Sequence, residues 1–411
     1  MRGHGPPGAR TGYGTGRSLV AAAGYPPWVT TPVVAVVGGG QLARMTQQAA
    51  IGLGVPLRLL AEGPEVSAAQ VVADTRVGDY RDLATLRELA DGCAVMTFDH
   101  EHVPTEHLHA LAGSGLAVRP GPEALVHAQD KGVMRSRLAE LDVPCPRNAM
   151  VGSVAEVESF GLPCVLKRTR GGYDGKGVWI VRTPGDCEEP LRATAESAVS
   201  LLAEELVEFR RELAALVVRA PSGQAAAYPV VESTQRDGIC HEVVAPAPGL
   251  DPDLASRAQE LALRIAGALD VTGVLAVELF ETTDGRVLVN ELAMRPHNTG
   301  HWSQDGAVTS QFENHLRAVM DLPLGSPAAR APWTVMVNIL GGPTDAGRLY
   351  DGYPHVLARD PSLRVHLYGK ELRPGRKVGH VNAYGDDLED CLERARHAAA
   401  WFRGDLIEES G

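Results

Sequence analysis

From Val33 onward the apolar positions follow two alternating periods. The run VVAVV predicts a buried strand, and apolar residues then recur at Leu42, Met45, Ala49 and Leu53, one face of a helix, before LRLLA begins a second strand. A βαβ unit closes there, which predicts a doubly wound domain. The pattern continues through a helix over Asp82 to Ala90, with Leu83, Leu86 and Leu89 on its buried face, and the strand CAVMTF. Pro122 opens another helix, and Val133, Met134, Leu138 and Leu141 mark the apolar face of the next one. Pro144 and Pro146 then set a boundary.

Past that boundary the period shortens toward that of strands. PCVLKRT, the loop RGGYDGKG and VWIVR read as a hairpin. AEELVEFRRELAALVV reads as an acidic connector, with Glu204 and Glu205, into a strand beginning near Glu212. YPVVESTQRDGICHEVVAP is a strand pair turning at Asp237-Gly238, and a helix from Pro252 to Leu269 leads into GVLAVELFETTDGRVLVNELAMRPHNTGH. There, two β-branched runs flank Asp284-Gly285, the dipeptide of a tight hairpin turn. A two-residue loop, or a four-residue loop from Thr283 to Arg286, places Glu278 directly opposite Glu291. Facing carboxylates repel, so the pair calls for a cation, and Mg²⁺ shared with substrate phosphates is the natural one. The alternative is a bulge that shifts the register and leaves the two side chains apart in solvent. A helix from Gln311 to Met320 follows, and from Pro332 the segments TVMVNILG and VHLYGKELRPGRKVGHVNAYG predict a small β-rich domain.

Composition narrows the function. The 411 residues are 44% hydrophobic, enough for two or three domains with substantial cores. A net charge of -12 argues against nucleic acid or an anionic membrane as the main partner. No apolar run approaches a membrane span. The six cysteines, Cys93, Cys145, Cys164, Cys187, Cys240 and Cys391, have no C-x-x-C spacing, consistent with reduced thiols in a cytoplasmic protein. Residues 1–31, rich in Gly, Pro and Arg, are expected to be a disordered extension.

Four constellations carry chemistry. Gly38-Gly39-Gly40-Gln41-Leu42-Ala43 fits G-x-G-x-x-A with Glu62 about 20 residues on, a pattern that suits a dinucleotide or any phosphate at a helix N-terminus. Asp99, His100, Glu101 and His102 end the fourth strand, where ligands bind in such sheets; with His107 and His109 they also admit a metal-cluster reading. Gly172, Gly175 and Gly177 lie in one hairpin loop beside Lys167 and Lys176, which favours a phosphate lid over a structural turn. Lys370, Arg373, Arg376, Lys377 and His380 cluster at a Pro-Gly turn and suit a phosphate monoester, unless they are only a solvated turn.

Together, the lysine before YDGKG, EELV, the carboxylate hairpin ending in NE and the RPHN loop resemble the ATP-grasp superfamily. GGGQLARM, QDK, VLKRTRGGYDGKG, NELAMRPHNTGHW and KELRPGRKVGH sharpen the resemblance to the N5-carboxyaminoimidazole ribonucleotide synthase family, collinearly from about Val33 to about Arg403. The resemblance implies α/β and α+β architecture: a pre-ATP-grasp domain over 32–128, an ATP-grasp domain over 129–328 with a lid over about 145–210, and a C-terminal domain over 329–411. It also implies a homodimer that uses ATP with Mg²⁺ to carboxylate 5-aminoimidazole ribonucleotide with bicarbonate. On this resemblance Lys131, Lys167 and the loop Gly172, Tyr173, Asp174, Gly175, Lys176, Gly177, Val178 hold the ATP phosphates. Glu204, Glu205, Leu206 and Val207 line adenine, Glu212 meets ribose, Gln235 and Asn290 contact the nucleotide, and Glu278 and Glu291 hold Mg²⁺. Arg295, His297 and Asn298 bind bicarbonate and carboxyphosphate. Gly40, Gln41, Leu42, Asp99, Glu101, Tyr173, Asp174, Lys370, Arg376 and Lys377 bind the ribonucleotide.

Two departures stand out: Gln235 replaces the family's usual histidine, and Asp99-His100-Glu101 replaces its usual E-x-E. Strict alternation would also point Asn290 away from Glu291, so a twist at the strand end is expected. A dehydrogenase would leave the downstream phosphate-binding features unused, and a catalytically dead regulator would have lost the acidic pair or the RPHN loop. The formate-dependent glycinamide ribonucleotide transformylase is the nearest rival, and KELRPGRKVGH favours the carboxylase.

Overall fold

A computed structural model describes residues 31–172, 175–195, 199–342 and 349–406. The expected N-terminal extension lies almost wholly outside them, as do Tyr173 and Asp174. The first sheet forms as the alternating pattern requires. Strands β1 (Val34–Val37), β2 (Leu57–Ala61), β3 (Asp74–Val77), β4 (Val95–Phe98) and β5 (Ala117–Val118) are parallel, in the order β3-β2-β1-β4-β5. The apolar strands β1, β2 and β4 are fully buried. Helix Leu83–Ala90 begins where Asp82 accepts hydrogen bonds from the amides of Ala84 and Thr85. In helix Lys131–Glu140 the buried face is Met134, Arg135 and Leu138, and Val133, expected on that face, is exposed.

Strands β6 (Asn148–Val151), β7 (Cys164–Arg168), β8 (Val178–Val181) and β9 (Leu201–Glu205) make a small antiparallel sheet ordered β6-β9-β7-β8, within the segment expected to be the lid. Glu204, expected in a connector, is inside β9 and buried. The remaining strands are β10 (Phe209–Arg219), β11 (Ala225–Ala227), β12 (Val231–Arg236), β13 (Ile239–Ala245), β14 (Gly273–Thr282), β15 (Val287–Ala293), β16 (Trp333–Leu340), β17 (Arg364–Leu367) and β18 (Lys377–Gly385). They form one sheet ordered β15-β14-β10-β12-β13-β16-β18-β17, with β11 beside β10. The C-terminal strands thus extend the central sheet by pairing β16 to β13. Helix Leu388–Arg403 packs its Ala395, Ala398, Ala399 and Phe402 into the core beside them.

The β14–β15 hairpin departs from the expected ladder twice. Thr282 N donates to Arg286 O at 2.9 Å and Gly285 N to Thr282 O at 3.0 Å, so the loop is Thr283-Asp284-Gly285, with Gly285 at φ 78°. This three-residue loop offsets the register by one: Leu279 faces Val289. A bulge then restores it, and Glu278 faces Glu291 as expected, with Asn290 as the extra residue. The bulge replaces the twist expected for Asn290: where alternation breaks, Asn290 and Glu291 both reach the same cleft.

Candidate active site

The three sheets enclose a cavity of about 1150 Å³. The end lined by Lys131 and Lys167 is built on charge pairs. Lys167, near the end of β7, lies 2.6 Å from Glu204 Oε2 and donates to Asn290 Oδ1 at 2.9 Å. Arg135 takes the other oxygen of Glu204 at 2.6 Å, and its guanidinium also donates to the Val289 and Asn290 carbonyls at 3.0 and 2.7 Å, bracing the bulge. Burial would raise the Glu204 carboxyl, but Lys167 and Arg135 together hold it below its usual range. The Glu204 carboxylate is thus engaged by Lys167 and Arg135, and the residue also lines the cavity. Lys131 pairs with Glu291, and His297 Nε2 lies 3.2 Å from Glu278 Oε1. The cation expected between the facing carboxylates is thus supplied in part by the chain itself. Burial raises Glu278, and the hydrogen bond from His297 with the nearby charges of Lys131 and Lys167 outweighs it, so its carboxyl sits below the usual range.

Glu212 has only Lys167 to oppose burial and the charge of Glu278, and it is pushed up to about 7. Glu205, Leu206, Val207, Val178 and Gln235 line the same end, with Gly172, Gly175 and Lys176 of the glycine loop. Gln235 donates to Ser233 Oγ at 2.9 Å. Gly177 lies outside the lining; its φ of 76° and the Arg168 side chain 2.9 Å from where a Cβ would stand account for a glycine there. Sequence reasoning missed two features. The Phe209 and Phe280 rings stack 4.8 Å apart in the wall. Arg135 carries a signal: a charged residue one helical turn after Lys131, between the buried Met134 and Leu138.

At the other end Glu101 accepts from Arg295 Nε at 2.8 Å and from Met294 N at 3.1 Å. Burial would raise Glu101, and Arg295 holds it below its usual range. Arg295, His297 and Asn298 line the cavity together, and Asn298 Oδ1 is buried with no hydrogen-bond partner among the described residues. The glycine-rich loop is already engaged. Asp99 accepts from Gly40 N at 2.7 Å and Ala43 N at 2.8 Å, and Glu62 from Gly39 N at 3.1 Å. Burial pushes Asp99 up to about 6 against the pull of those amides. Gln41, Leu42 and Asp99 line the cavity, whereas Gly40 lies beneath the Asp99 carboxylate. His100 and His102 stack with ring centres 5.2 Å apart, while His107 meets the Arg81 carbonyl and His109 faces Glu123, so the four histidines do not converge.

The basic turn divides. Lys377 lines the cavity, and Lys370 reaches across to Gln41 Oε1, joining the C-terminal strands to the first helix. Arg376, expected at the ribonucleotide, is exposed, outside the lining, with its guanidinium 3.4 Å from the Glu371 carbonyl.

A lysine pair and a carboxylate pair between a small antiparallel sheet and a larger one define an ATP-grasp protein. Family models agree: the ribonucleotide synthetase preATP-grasp domain matches residues 32–129, the ATP-grasp domain 136–312, and the phosphoribosylaminoimidazole carboxylase C-terminal domain 334–394. An N5-carboxyaminoimidazole ribonucleotide synthase of Mycobacterium bovis is 54% identical over 93% of this chain and 91% of its own. One from Corynebacterium ammoniagenes is 52% identical over 90% and 91%. The Aspergillus clavatus enzyme, solved with ADP and 5-aminoimidazole ribonucleotide, matches with a TM-score of 0.82 at 31% identity, over 90% of this chain and 98% of that one. The chain belongs to the N5-carboxyaminoimidazole ribonucleotide synthase family.

Proposed function

We propose that this enzyme carboxylates the 5-amino group of 5-aminoimidazole ribonucleotide with bicarbonate, converting ATP to ADP and phosphate. The observation that carries the reading is that one cavity joins a nucleotide end, built on Lys131, Lys167, Glu278 and Glu291, to an anion end built on Arg295, His297, Asn298 and Lys377. A bicarbonate oxygen attacks the γ-phosphorus of ATP, the bond to ADP breaks, and carboxyphosphate forms. Its decomposition gives carbon dioxide and phosphate. The amine attacks the carbon dioxide, forms the carbon–nitrogen bond and loses a proton, leaving the carbamate.

The chain's part is positioning and charge. Lys131 and Lys167 neutralise the triphosphate, each already aimed by a carboxylate. Arg295, held by Glu101, and His297 receive the carbonate anion. Lys377 faces the ribonucleotide phosphate, with Gln41 and Lys370 closing that end. Glu278 and Glu291, facing each other in the cavity wall, would hold Mg²⁺. When bound, the ion would offset charge on the transferring phosphoryl group. The proposal includes a cytoplasmic homodimer, divided at 32–128, 129–328 and 329–411. Sedimentation at micromolar concentration tests the dimer, and a monomer would overturn that part.

Phosphate release, with ATP, bicarbonate, Mg²⁺ and 5-aminoimidazole ribonucleotide each omitted in turn, tests the reading. Release should require ATP and Mg²⁺ and rise strongly with bicarbonate and the ribonucleotide together. Equal release with formate and glycinamide ribonucleotide would assign the chain to the sister ligase.

A further inference from the structure

The loop that carries Arg295, His297 and Asn298 is held from behind by one amide. Gln311, at the start of helix Gln311–Val319, is fully buried. Its Oε1 accepts from His297 N at 2.9 Å, and its Nε2 donates to His297 O at 2.8 Å. A single side chain therefore closes both main-chain groups of His297, as a neighbouring strand would. Nε2 also lies 3.1 Å from His301 Nδ1. Because Oε1 must face the His297 N–H, the amide orientation is fixed, and His301 Nδ1 accepts. The approach is close: a Cβ on Gly300 would stand 2.4 Å from Gln311 Oε1, so the loop is glycine where the amide passes. The Gln311 amide in turn is placed by its own backbone N, which donates to Ser303 Oγ at 2.9 Å.

The His297 ring is set separately. Thr299 N donates to His297 Nδ1 at 3.4 Å and Thr299 Oγ1 lies 2.9 Å from it, so Nδ1 accepts and the proton sits on Nε2, toward Glu278. Loop residues thus choose the tautomer, and Gln311 fixes where the ring stands.

We infer that Gln311 is a positioning residue for the carbonate-binding loop, acting through the main chain of His297 without touching substrate. This rests on the reading that His297 serves the carbonate anion. Its effect should fall mainly on the carbonate end: Lys131 and Lys167 are anchored by Glu291 and Glu204, none of which Gln311 contacts, and Gln311 reaches the other end only through the His297–Glu278 pair.

The test compares Gln311→Glu with Gln311→Leu in ribonucleotide-dependent phosphate release. Glutamic acid in its neutral form keeps one acceptor for the His297 N–H and one donor for the His297 carbonyl, whereas its carboxylate faces that carbonyl with no donor. Gln311→Glu should therefore approach wild-type activity at the acid end of the pH profile and lose about 10- to 100-fold as the glutamate ionises. The loss should fall on kcat and bicarbonate KM, with ATP KM within about twofold. Gln311→Leu should show that loss at every pH. A flat ratio of Gln311→Glu to wild type across pH, or equal rises in ATP and bicarbonate KM, would overturn the inference, and the Glu variant decides even if the Leu variant does not fold. Failure of the carbonate reading would look different, since wild-type release would then be independent of bicarbonate.

Discussion

Glu291→Gln separates the metal reading of the facing carboxylates from a purely structural one. Without ligand, two effects oppose. The substitution relieves repulsion from Glu278 across the ladder and removes the partner of Lys131, whose side chain is 12% exposed. Facing like charges and partly exposed ion pairs are each worth about 0.2–1 kcal/mol. They offset, and the ligand-free protein should change by less than about 1 kcal/mol. With Mg²⁺ and ATP at 100 times the dissociation constant, the wild type gains about 2.7 kcal/mol by mass action. A carboxylate that holds the ion is worth about two decades of affinity, so at the same concentration the variant gains only about 0.4 kcal/mol. At about 2.1 cal/mol/K of unfolding entropy per residue, a chain of 411 residues shifts by about 1.2 °C per kcal/mol, so the ligand-induced rise in melting temperature should shrink by roughly 3 °C. Differential scanning fluorimetry with and without Mg·ATP reads the shift, and phosphate release reads turnover, which should nearly vanish. A variant that keeps the wild-type Mg·ATP shift and turnover would refute the metal role.

Three further outcomes follow from the same geometry. Glu204→Gln leaves Arg135 and Lys167 buried without their shared carboxylate, so it should cost about 3–5 kcal/mol in urea denaturation; a change within about 0.5 kcal/mol would mean the triad is not holding the lid to the core. Lys377→Ala should raise the ribonucleotide KM by roughly one to two decades, the worth of a charge-assisted hydrogen bond, while the exposed Arg376→Ala should change it less than about twofold; the reverse ranking would return the phosphate to the exposed turn. Glu212, raised from the ordinary 4.5 to about 7 by burial and the charge of Glu278, favours the neutral form in the folded chain. Its contribution is full below the unfolded value and lost as pH rises through about 7, so wild-type stability relative to Glu212→Gln should fall across that window in paired thermal melts; a constant difference would sink the assignment.

Periodicity was enough for the parallel sheet, because β1, β2 and β4 are buried on both faces and read as unbroken apolar runs. It was enough for helix Leu83–Ala90, where the cap at Asp82 and the leucine spacing agree. It failed where long-range partners decide. Arg135 sits on a buried helical face only because Glu204, in another sheet, neutralises it, and a local pattern does not record that pairing. Arg376 and Lys377 are neighbours in sequence, yet one is exposed and the other lines the cavity, since β18 begins at Lys377 and its ladder fixes that residue opposite Leu340.

The hairpin shows why a correct contact need not certify its derivation. The two-residue loop expected at Asp284-Gly285 and the regular ladder expected above it are both absent, yet Glu278 faces Glu291, because a three-residue loop and a one-residue bulge shift the register in opposite senses. Each device alone would have put Glu278 opposite Asn290 or moved Glu291 off the cleft. The bulge also does what a regular strand cannot. Successive residues of a strand face opposite sides, so a ladder without it would deliver either the amide of Asn290 to Lys167 or the carboxylate of Glu291 to Lys131, but not both. With it, both lysines are aimed from one strand end. Arg135 braces the bulge by donating to the carbonyls of Val289 and Asn290. The Lys131–Glu291 ion pair and the Lys167–Asn290 hydrogen bond therefore both depend on a backbone irregularity, which is why alternation along the sequence could name the residues without explaining how they meet.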